Sequence, residues 1–95
     1  MKGQQIRERL QAVVLSVRRV HPDMYLENVF DFVKYGEWKL AVEVLCDNLY
    51  EDKRYIPQDT FSDLIAVGKV LSVDSRYWKD INVEQASPES NVKQA

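Results

Sequence analysis

The chain is short of the residues that usually carry chemistry: it has a single cysteine, Cys46, and a single histidine, His21. A lone cysteine excludes an internal disulfide and fits a reducing compartment, so a cytoplasmic location is expected. Its three glycines, Gly3, Gly36 and Gly68, stand far apart, which leaves no glycine-rich loop to wrap a phosphate. Zinc calls for several Cys or His ligands and calcium for a loop of oxygen donors around a glycine turn. Neither pattern occurs, and no cofactor or metal is expected. No Asn-Gly or Asp-Gly dipeptide signals a hairpin. The longest uncharged apolar stretch, Ala12–Val17, is far too short to cross a membrane. Arg7, Glu8 and Arg9 interrupt the apolar pattern near the start, so no secretory leader is expected either.

What is present is ordinary globular material. Hydrophobic residues make up 45% of the 95 residues and charged residues 29%, the composition of one domain with one core. The net charge is only −2, but it is unevenly spread. Residues 1–20 carry Lys2, Arg7, Arg9, Arg18 and Arg19 against Glu8 alone. From Asp23 to Asp52 the balance reverses, with Asp23, Glu27, Asp31, Glu37, Glu43, Asp47, Glu51 and Asp52 facing only Lys34 and Lys39. A protein that grips a phosphate backbone concentrates basic residues. The middle of this chain does the opposite and suits a basic partner.

Apolar spacing predicts helices throughout. Ile6, Leu10, Val13, Val14 and Val17 mark a first helix over Gln4–Arg19, with Arg18 and Arg19 complementing its C-terminal dipole. His21-Pro22-Asp23 ends it, and Asp23 opens a second helix over Met24–Tyr35 that buries Leu26, Val29, Phe30 and Val33. Gly36 is a natural terminator. A third helix, Glu37–Tyr50, has a wide apolar arc of Leu40, Ala41, Val42, Val44, Leu45, Cys46 and Leu49, which predicts a central position. Ile56-Pro57 starts a fourth, carrying Phe61, Leu64, Ile65, Val67 and Leu71, with Gly68 placed for a close helix approach. Asp74 caps a short last helix, Ser75–Ile81. The expected fold is all-α: a compact bundle of four main helices plus that short one in a single domain, 1–83, followed by a disordered tail, 84–95.

No catalytic constellation emerges. His21, at a helix end beside a proline, reads as a cap or surface residue, and mid-helix Cys46 as a small apolar residue. No enzyme is expected. The acids do form a pattern: Asp23, Glu27 and Asp31 are spaced by four, as are Glu43, Asp47 and Glu51. On a helix that spacing makes a slowly drifting stripe of like charge. Tyr35 and Tyr50 project among these acids, away from the apolar side. Aromatics within a field of one sign are typical of interface anchors.

The segments "ENVFDFVKYGEWKLAVEVLCDNLYE", "IP" and "VGKVLSVDSRYW" together resemble the MafI-type immunity proteins, small bacterial proteins encoded beside polymorphic or contact-dependent toxins. Gly36-Glu37, the Ala41…Leu45-Cys46…Leu49-Tyr50-Glu51 run, Ile56-Pro57 and Tyr77-Trp78 carry the likeness. It implies a non-enzymatic inhibitor that binds a cognate toxin domain stoichiometrically, often a nuclease and in some cases an EndoU-type ribonuclease. A nuclease cleft is basic, so an acidic inhibitor face would be steered to it. The expected toxin-binding residues are Asp23, Glu27, Asp31, Tyr35, Glu43, Asp47, Tyr50 and Glu51, with no direct nucleic-acid or membrane contact. The competing reading is a small nucleic-acid-binding regulator using Arg7, Arg9, Arg18 and Arg19.

Overall fold

The computed structural model describes residues 1–84. They form α1 (Gly3–Val20), α2 (Glu27–Lys34), α3 (Trp38–Glu51), β1 (Tyr55–Pro57), α4 (Gln58–Val70), a 3₁₀ turn (Ser75–Tyr77) and β2 (Asn82–Glu84). The described chain is mostly helical, as the apolar spacing predicts. Among the described residues no helix is long and apolar enough to cross a membrane.

The fold is broadly all-α as expected, with one addition, a short strand pair. β1 and β2 run parallel, with Ile56 opposite Val83 and α4 as the crossover between them. The pair escapes prediction because three residues are too few to show a period, and parallel partners need no hairpin turn. The last helix is likewise shorter than expected: only Ser75–Tyr77 turns, with Asp74 accepting a bond from the Arg76 N–H. The predicted tail, 84–95, lies outside the described residues except for Glu84, which belongs to β2.

Helix α2 starts at Glu27, three residues after the predicted Met24. Met24 and Leu26 are both buried while Tyr25 between them is exposed. That alternation is the signature of an extended segment, since residues two apart on a helix point to nearly opposite sides. Burying both side chains therefore delays the helix. Phe30, expected in the core, is only half-buried.

α1 packs against α4 and α2, and α3 packs chiefly on α2, so α1 shares the central role predicted for α3. Leu10, Val14, Val17, Val29, Val33, Val42, Leu45 and Leu49 meet in the core, fully buried. Leu40 does not join them; it is exposed, and Val44 is half-buried. The α1–α4 seam contains a polar contact, Ser16 Oγ to Thr60 Oγ1 at 2.7 Å. Gly68 does permit a close approach, but to the Trp78 indole and not to a helix: a Cβ there would lie 2.4 Å from the ring.

Three helices end in the same way. After α2, α3 and α4 the residues Gly36, Lys53 and Ser72 take positive φ (80°, 55° and 60°). In each case the next residue's N–H reaches back to the last turn: Glu37 to Phe32 O, Arg54 to Leu49 O and Val73 to Gly68 O, at 2.8–2.9 Å. Only Gly36 carries no Cβ penalty in that conformation. Lys53→Gly is therefore expected to stabilise the protein by a few tenths to about 1 kcal/mol, seen as a higher urea midpoint with an unchanged slope.

Candidate protein-binding face

Helix α3 carries Glu43, Asp47 and Glu51 along one line, as the four-residue spacing requires. Asp47 and Glu51 are exposed and Glu43 is half-buried. Glu27 and Asp31 sit on α2, both exposed. Tyr35 caps the C-terminus of α2 and is 70% exposed, with the Lys34 ammonium 5.5 Å from its ring centre; Tyr50 is 57% exposed. Ion pairs among the described residues are Arg9–Asp63 and Arg54–Asp23, so these five carboxylates are unpaired there.

Asp23 departs from the predicted stripe. It lies in the turn before α2, and Arg54 holds it in a fork, Nη1 and Nη2 donating to Oδ1 and Oδ2 at 3.1 and 2.8 Å. Those bonds lower the Asp23 carboxyl below its usual range. The stabilisation from this pair is therefore present above the ordinary carboxylate pKa and lost as acid titrates the folded group.

The end of the α3 stripe also has neighbours that linear charge counting missed. Asp47 and Tyr50 line a groove of about 400 Å³ with Arg76, Tyr77, Lys79 and Asp80. Tyr50 and Glu51 border a second with Lys53 and Asp80. The fold thus sets Lys53, Arg76 and Lys79 at the margin of the acids. The carboxylate line therefore has a mixed-charge rim, with Tyr50 between the two grooves.

His21, expected as a cap or surface residue, is the C-cap of α1, its N–H bonding the Val17 carbonyl at 2.8 Å, and it is buried, not on the surface. Its Nε2 lies 2.7 Å from the Tyr55 carbonyl, which can only accept, so that nitrogen carries the proton. Nδ1 faces Arg54 Nη1 at 3.4 Å and accepts from it. The single histidine is a structural link between two connections.

Cys46 is fully buried, and burial, followed by Asp47 and Glu43, pushes its thiol up to about 12. A nucleophilic cysteine needs the opposite shift. Because the folded pKa is raised, the protected thiol contributes stability below the ordinary thiol pKa and loses it as pH climbs toward 12. Urea titrations should show stability falling by up to roughly 1.4 kcal/mol per pH unit across that range. Cys46→Ala should flatten this slope. The native thiol should also resist a disulfide reagent that labels it once unfolded. Among the described residues no group of three His, Cys, Asp or Glu side chains is placed to hold a metal.

Three of the four arginines of α1 serve three different neighbours. Arg7 lies 5.7 Å over Trp38 of α3, Arg18 lies 4.7 Å over Phe30 of α2, and Arg9 pairs with Asp63 of α4 at 3.8 Å. They fasten α1 to the elements around it and are split between two sides of the helix. A phosphate-tracking surface needs them on one.

The chain matches no family model, no curated protein and no solved structure.

Proposed function

We propose that this chain is an immunity protein that neutralises a cognate antibacterial toxin domain by stoichiometric binding. The toxin would be a basic nuclease, of which an EndoU-type ribonuclease is one candidate, and the encounter would take place in the bacterial cytoplasm. The observation that carries this reading is the set of carboxylates on α2 and α3 that are unpaired among the described residues, together with the exposed rings of Tyr35 and Tyr50 on the same two helix ends. The resemblance to MafI-type proteins points to the same class.

We read the four helices as a compact bundle whose task is to display those carboxylates. Glu27, Asp31, Glu43, Asp47 and Glu51 provide the steering field, and Tyr35 and Tyr50 the contact area. Such an inhibitor works by occupying a cleft that must attract phosphate, so it needs no chemistry of its own. A stable complex of this kind buries about 800 Å² per partner.

The test is co-expression. A toxin domain encoded beside this gene should kill when produced alone and be tolerated when this chain is present. The purified pair should form a one-to-one complex whose association slows steeply with added salt. Killing that persists at full expression of this chain would refute the reading.

A further inference from the structure

A second surface gathers where the connection from α1 to α2 meets the start of β1. A chain of bonds runs through it: His21 Nε2–H to the Tyr55 carbonyl at 2.7 Å, Arg54 Nη1–H to His21 Nδ1 at 3.4 Å, and the Arg54 fork onto Asp23. The ring of Tyr55 meets His21 edge-on, centroids 5.1 Å apart. Through these links the Asp23 carboxylate is fixed relative to the backbone of β1, thirty-odd residues away in sequence.

The outer side of this network is open. The Asp23 side chain is 68% exposed and that of Arg54 only 27%, so the carboxylate stands outside with its cation behind it. Each carboxylate oxygen accepts one bond from Arg54 and retains a lone pair for another donor. A carboxylate that already has a fixed counter-ion is also less costly to bury under a partner than a free one. On its own connection, Tyr25 is 66% exposed because its neighbours Met24 and Leu26 turn inward, and Tyr55 is 41% exposed. Tyrosines of this kind give large contact area at small entropic cost and dominate binding hot spots.

We propose that Tyr25, Asp23 and Tyr55 form a pre-ordered anchor for one cationic side chain, lysine or arginine, on the basic surface of the partner protein. Arg54 and His21 are its positioning residues. The anchor rests on the reading of the chain as a toxin inhibitor. The α3 stripe provides long-range attraction, whereas this corner holds the docked complex, so the two act on different rate constants.

The experiment measures binding kinetics of the full chain with the toxin domain encoded beside it. Tyr25→Ala removes a ring that is 66% exposed and makes no hydrogen bond among the described residues, so its melting curve should match wild type while affinity falls by about 30-fold or more, mainly through faster dissociation. Asp23→Asn, which keeps an acceptor for Arg54 but removes the charge, should also speed dissociation. Leu15→Ala, an exposed apolar position on α1, should change nothing. If Tyr25→Ala and Asp23→Asn bind like wild type while the wild-type chain protects cells, the anchor is overturned and the inhibitor reading stands. A wild-type chain that neither binds nor protects overturns both.

Discussion

Trp78→Ala should cost the fold about 3–5 kcal/mol and, with it, reverse the sign of a second substitution, Gly68→Ala. Trp78 is buried against the backbone of α4 at Gly68, where an added Cβ would stand 2.4 Å from Cζ3 and 3.0 Å from Cη2 of the indole. In the wild type the methyl group must therefore push a packed ring out of place, a cost of about 1–3 kcal/mol. With the ring removed the same methyl enters empty space. Alanine is then favoured over glycine inside a helix by about 1 kcal/mol. The double-mutant cycle should accordingly give a coupling of 2 kcal/mol or more, roughly, read from urea midpoints at constant slope. Additive effects would mean that the close approach is not formed. The same contact also shapes the candidate face, because Trp78 anchors the turn whose Arg76, Tyr77, Lys79 and Asp80 make one wall of the Tyr50 groove.

The helices were legible in the sequence because each buries one stripe at the helical period, and the expected bounds of α1 and α3 lie within a residue of those observed. The start of α2 was not, because Met24 and Leu26 are buried in alternation and a helical count reads straight through them. The strands lay below the length at which any period shows, and their pairing joins Tyr55 to Asn82 across the whole of α4. The candidate face was legible along α3, where spacing alone sets geometry. It was illegible wherever contacts cross between elements. Arg54 against Asp23, and Arg76 and Lys79 beside Asp47, bring together charges that a count along the chain keeps apart. His21 caps α1 as expected, but its burial was illegible for the same reason: the Tyr55 carbonyl that justifies burying it is thirty-four positions away.

Reversing the stripe on α3 with Glu43→Lys, Asp47→Lys and Glu51→Lys together should make the protein fold better and bind worse. Two like-charge pairs at a spacing of four each destabilise the helix by about 0.2–0.5 kcal/mol, and lysines in their place would repel about equally. The dipole does not cancel in this way. The last turn of α3 has no basic residue, and its acids face the negative end of the helix. A cation at Glu51, and to a lesser degree at Asp47, should gain about 0.3–1 kcal/mol, so thermal unfolding should move upward or stay level. Glu43 is half-buried, but a lysine there can lay its stem along the helix and keep its ammonium in water. Toxin association should slow by about 10- to 1,000-fold at low salt, and most of the salt dependence should disappear with it. A structural role for these acids predicts the opposite pairing, a loss of stability with the association rate unchanged. The wild-type arrangement is thus one that local helix physics disfavours, with Asp47 and Glu51 toward the negative end of α3, and the basic partner proposed above would give a reason to keep it.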